Sequence, residues 1–168
     1  MFTNTKLLCL TLVCVLSLSS CSKDSVVPED NNFSKNLELT NNFTYTTMEI
    51  EILDAVNDYR KSIGLTVLQK LDDITIEAVD HTNYMVSLNV VNHNDFNIRY
   101  QNLVKEVGAR AVSENVGFGY RTAKAVVEAW IKSEGHRANI EGDYTDFGIS
   151  VDQDQYGKNY FTNIFVRR

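Results

Sequence analysis

Hydrophobic positions along the chain follow two different periods, and the change from one to the other separates helical from extended segments. Met48, Ile52, Ala55, Val56, Tyr59 and Ile63 fall on one helical stripe. Thr46 and Glu49 open that helix as a capping box and Gly64 closes it. After an extended connector, Leu65 to Leu68, a second helix is expected to be capped by Asp72 or Asp73 and to bury Ile74, Ala78, His81, Met85 and Leu88 on one face. The polar stretch Asn89 to Asn97 follows, and a third helix is predicted from about Ile98 to Val107, ending at Gly108. A fourth opens at Thr122 and turns Ala123, Val126, Val127, Trp130 and Ile131 toward a core, with Gly135 as its expected left-handed stop and a short helix over His136 to Ile140 beyond it.

Alternation takes over in the extended parts. A short strand-like run follows Glu114, through Asn115 and Val116 to Gly119. Phe147, Ile149 and Val151 alternate on a later strand, residues 153 to 158 turn it, and Tyr160 to Val166 form the last strand. Tyr160, Phe161, Ile164, Phe165 and Val166 are apolar on both faces of that strand, so both faces must be covered. The expected fold class is therefore α+β, a three-layer α-β-α sandwich around an antiparallel sheet.

The first 45 residues break this pattern. Lys6 and the apolar run Leu7 to Leu18 read as a targeting segment, too short for a comfortable permanent span. Leu18-Ser19-Ser20-Cys21 resembles the lipobox of bacterial lipoproteins, which implies a signal peptide over 1–20 and an acylated Cys21 as the first mature residue. Residues 21–45, polar and holding the chain's only proline, Pro28, read as a tether, and 46–168 as the folded domain. Cys9 and Cys14 leave with the signal, so the domain has no thiol for a disulfide, a nucleophile or a thiolate metal site. A formal charge of -6 without any basic run argues against a nucleic-acid partner and against a polybasic membrane patch.

Candidate chemistry rests on few residues. His81, among apolar neighbours, reads as a satisfied core residue. His93 lies beside a loop where Asn94 and Asp95 can fix its direction. Glu114 starts a strand-like run, and His136 sits in a first helical turn, where exposed N–H groups disfavour the imidazolium. Each of the three also has a bland reading as a loop, solvated or capping residue.

Taken in order, several short pieces resemble the CAP superfamily of cysteine-rich secretory proteins, antigen 5 and pathogenesis-related 1 proteins, in its compact bacterial branch. These are His81 to Met85, His93-Asn94-Asp95-Phe96 with Arg99, Glu114-Asn115-Val116 with Gly119, Trp130 with Ser133 to Ile140, Gly148-Ile149, and Tyr160-Phe161-Thr162 with Phe165. The resemblance implies a cleft into which two histidines and two acidic groups point, with His93, Glu114 and His136 as three of them. The fourth position falls on Ser133, with Glu134 beside it, so Glu134, Ser133 or water completes the set. It also implies an extracytoplasmic binding module for a small-molecule, lipid or protein ligand, and the lipobox-like segment adds the expectation that it is membrane-anchored. Two neutral imidazoles and a carboxylate would suit a divalent metal, zinc first. A hydrolase using a histidine base near Ser133 or Ser113, or a metal-bound water, is the alternative, and a purely structural polar cluster is another. No nucleophile with both a base and an orienting third residue can be named, which favours binding over catalysis.

Overall fold

The structure is a computed structural model that describes residues 43–168, so the expected signal peptide, Cys21 and nearly all of the tether lie outside the described residues. In chain order the elements are α1 (Thr47–Ser62), β1 (Gln69–Lys70), α2 (Asp72–Leu88), α3 (Phe96–Val107), β2 (Ala111–Phe118), α4 (Ala123–Lys132), α5 (Glu134–Glu141), β3 (Asp146–Gln153) and β4 (Asn159–Arg167). The four strands form one sheet in the order β1-β3-β4-β2. Its three long strands are antiparallel, and the two-residue β1, just past the stretch read as a connector, adds a parallel edge to β3.

The three layers follow from the alternation along β4, which is buried at every position but its last. On one face Phe161 and Phe165 join Phe147 and Ile149 of β3 against Ile52 and Val56 of α1, Val126 and Trp130 of α4, and Ile140 of α5. On the other, Ile164 and Val166 pack with Ile74 and Ala78 of α2 and Leu103 of α3. The second helical layer approaches closely because position 148 is glycine. A Cβ there would lie 2.6 Å from the Ile74 carbonyl carbon and 2.8 Å from Thr75 Cα.

The capping box of α1 forms as expected, and the buried Glu49 also accepts from the backbone N–H of Val151, tying the helix start to β3. Elsewhere the local expectations shift. Asp72 and Asp73 do not cap α2, whose N-cap is Leu71, because the Asp72 carboxylate is taken by Phe43 N–H at 3.1 Å and Tyr45 Oη at 3.0 Å. Both aspartates still lie in the first turn, where the helix dipole favours them. Leu88 leaves the buried stripe and is exposed at the C-terminal end of α2. Helix α3 starts two residues early, since Asp95 turns left-handed (φ 59°) and Phe96 N–H closes on the His93 carbonyl. Gly135 does not stop α4. Ser133, with extended backbone, ends α4 and begins α5, and Gly135 lies inside α5.

Candidate functional site

Glu114 lies inside β2 rather than ahead of it, and the reason its carboxylate is buried is Arg99. Helix α3 places Arg99 one turn before Leu103 on its buried face, and both residues are almost fully covered. The guanidinium meets Glu114 through two bonds, Nε to Oε2 and Nη2 to Oε1, each 2.8 Å. Its Nη1 donates to the Asn94 carbonyl at 2.8 Å, which ties the loop carrying His93 to α3. Such a planar fork is the strong form of an ion pair, and it satisfies charges that burial would otherwise penalise.

The same carboxylate accepts from His93. Nδ1 of His93 lies 2.7 Å from Glu114 Oε1, so Nδ1 is the donor, and in the neutral form of the ring the lone pair is on Nε2. Among the described residues no group bonds that Nε2, and about half of the His93 side chain is exposed. Burial alone would raise the Glu114 carboxyl, but the bonds from His93 and Arg99 and the charge of Arg99 hold it below the ordinary carboxylate value. His81 stands behind the cluster. Its Nε2 is 2.8 Å from the Asn92 carbonyl and 3.8 Å from Glu114 Oε1, and burial lowers its pKa, so it is the satisfied core histidine expected.

His136 approaches from the opposite helical layer, in the first turn of α5. Its pKa is lowered first by burial and then by a protonated His93 nearby. His136 Nδ1 is 3.0 Å from Ser133 Oγ. The His136 carbonyl accepts from Asn115 Nδ2, while Asn139 Nδ2 bridges the Asn115 side chain and the Glu114 carbonyl. This amide network seats α5 on β2. Of the two residues considered for the fourth position, Ser133 meets His136, whereas Glu134 is exposed at the start of α5.

A depression of about 220 Å³ beside the cluster is lined by His93, Phe96, Val112, Ser113 and Glu114. A larger groove, about 410 Å³, runs between α1 and α4 along Ala55, Val127 and Ile131 and holds none of these candidates.

The sequence profile of the Cysteine-rich secretory protein family (CAP) matches residues 53–166, which takes in every residue of this cluster. The chain belongs to that family. It is similar to the uncharacterized membrane protein YlbC of Bacillus subtilis (strain 168), 35% identical over 130 residues, covering 73% of this chain and 35% of that protein. It also matches the uncharacterized protein YkwD of the same organism at 29% identity, covering 60% of this chain and 41% of that protein. The chain thus spans well under half the length of these two relatives. In fold, this CAP domain is similar to an outer surface protein of Borrelia burgdorferi, with a TM-score of 0.66 at 19% identity over 74% of this chain and 96% of that one. An extracellular SCP-domain protein of Bacillus anthracis gives a TM-score of 0.63 at 24% identity over 71% of this chain and 40% of that one. Among the described residues of the chain, no helix is long and apolar enough to cross a membrane.

Of the two site histidines, each has its Nδ1 engaged and its Nε2 without a partner among the described residues. Glu114 has both oxygens engaged, and no group of three or more His, Cys, Asp or Glu side chains among the described residues is arranged to enclose a metal. A metal held by these residues would have at most two imidazole donors, with Glu114 behind His93 as the carboxylate that orients that ring. The sequence alone assigns no such role to Arg99, Asn115 or Asn139, and leaves open which histidine meets Ser133. For Arg99 a signal exists, since a charge one turn from Leu103 on a helix stripe requires a buried counter-charge.

Proposed function

We propose that the protein is an exported CAP domain, held to a membrane by a lipid on Cys21, that binds its ligand through the His93–Glu114–His136 cleft and holds a divalent metal there, zinc being the favoured ion. One observation carries this reading: the Arg99–Glu114–His93 chain of bonds presents an imidazole lone pair beside a second histidine that burial keeps neutral. Water and the ligand itself would complete the coordination of an open site. A zinc ion bound there would supply a point charge for a carbonyl or anionic group of the ligand. The residues supply the rest. Arg99 keeps Glu114 ionised, Glu114 fixes the tautomer of His93, and the Asn115–Asn139 amides position α5 and hence His136.

Calorimetric zinc titration of the purified protein tests the metal. Saturable binding at about pH 7.5 should weaken toward about pH 5.5, because a protonated imidazole cannot ligate. His93→Ala and His136→Ala should each lower the affinity, and no saturable binding by the parent would refute the metal site.

The 3.0 Å contact of Ser133 Oγ with His136 favours a second reading, a hydrolase in which His136 is the base for Ser133. No third side chain among the described residues bonds His136 Nε2, and the binding reading accordingly predicts no hydrolysis of peptide, ester or glycan substrates above a His136→Ala control. Turnover abolished by His136→Ala would establish the hydrolase.

A further inference from the structure

The strand that carries Glu114 has one open side. Strand β2 is at the sheet edge, bonded only to β4. Gly119 N–H bonds the Asn159 carbonyl within that register, so odd-numbered residues of β2 exchange bonds with β4 and even-numbered ones turn their N–H and C=O outward. Side chains from the neighbouring helices cover two of these outward carbonyls. Trp130 Nε1 donates to the Val116 carbonyl at 2.9 Å, and Asn139 Nδ2 donates to the Glu114 carbonyl at 3.1 Å. The cover then ends. At Val112, whose side chain is partly buried, neither the outward N–H nor the outward C=O has a bond among the described residues.

Val112 also lines the depression beside His93, with Phe96 as its other apolar wall. Ser113 Oγ, in the same lining, is buried without a partner among the described residues. An edge residue with a free donor and acceptor, next to an apolar hollow for one side chain, is the pattern by which an extended chain adds to a sheet. Lipid tails and sugars offer no main-chain pair to match it.

We propose that the cleft receives an extended polypeptide segment that exchanges two backbone hydrogen bonds with Val112 and seats an apolar side chain between Phe96 and Val112, beside His93. The inference rests on the cleft being a binding site. It is nevertheless read on different atoms from the metal, so the two can fail separately.

The probe is a set of acetylated, amidated pentapeptides with leucine, phenylalanine or lysine at the centre of an alanine–serine frame, added to the 15N-labelled protein. The leucine and phenylalanine peptides should shift the Val112 amide saturably, and the lysine peptide should do so more weakly. Methylating the central backbone nitrogen removes one bond and should weaken binding roughly threefold to tenfold. Val112→Pro deletes an N–H that β4 does not use, as an edge position allows, and should abolish peptide binding while leaving any zinc response of His93 and His136 intact. Should that variant not fold, the N-methylated peptides still decide. The proposal is overturned if no peptide moves the Val112 amide or if N-methylation leaves affinity unchanged. It is equally overturned if the amide responds to protein concentration alone, which would make the occupant a second copy, or to phosphatidylcholine vesicles and not to peptides.

Discussion

Glu114 shows how far one side chain's role depends on its neighbours. A carboxylate that deep in a sheet would ordinarily be protonated or absent, and the two bonds from Arg99 are what keep it charged. Removing the guanidinium leaves a buried charge without its partner, so Arg99→Ala should destabilise the domain by about 3 to 5 kcal/mol in chemical denaturation. A loss below about 1 kcal/mol would mean that water replaces the ion pair. Acid should act in two stages. His81 and His136 are held below the ordinary value of 6.5, so the stability they lend is complete above that value and drains as pH falls through their lower folded values. Glu114, held below 4.5, contributes stability that is lost only when pH drops further, through its own depressed value. Denaturant midpoints measured across this range should fall first below 6.5 and again below 4.5, and a midpoint flat down to about pH 5 would contradict the burial of neutral histidines.

Among the elements, α4 joins the layers. Trp130 lies edge-on to Phe161 in the core while its indole N–H reaches the outer edge of β2, so it serves both as core filler and as strand cover. Trp130→Ala should cost about 3 to 5 kcal/mol. A denaturation curve shifted by less than about 1 kcal/mol would mean that the surrounding side chains close over the gap. Periodicity discloses this helix, α1 and the two closing strands, because apolar residues dominate their buried faces even though Glu49, Arg60, Asp146 and Asn163 are buried among them. It misplaces the start of α3, where Ile98 is exposed and Arg99 buried, an inversion that no hydrophobic pattern can express. It misses the α4–α5 junction for a different reason: an extended serine makes the turn, and the glycine that looks like a stop is helical. His93, Glu114 and His136 are legible only through their order along the chain, since their three elements converge by tertiary packing. Glu134 is indistinguishable from Ser133 in the sequence because neighbouring residues share a motif but not a helix face.

At the scale of the whole molecule, the CAP domain is the part the structure describes, and its relatives carry names that place them at membranes or outside cells. The lipid anchor proposed at Cys21 predicts an intact mass for membrane-extracted protein equal to the chain from residue 21 plus acyl groups. A chain beginning elsewhere, with Cys21 unmodified, would remove the anchor and leave the domain's own chemistry untouched. That chemistry can be read on three side chains, since the sequence holds three histidines in all. A long-range proton–nitrogen spectrum of the histidine rings should be recorded at about pH 7.5 while zinc is added. His93 should begin as the Nδ1–H tautomer, zinc should move the Nε2 signals of His93 and His136 together, and His81 should stay still. If His93 instead carries its proton on Nε2, or zinc leaves both rings unmoved, the cleft is not the neutral, carboxylate-oriented histidine pair described above.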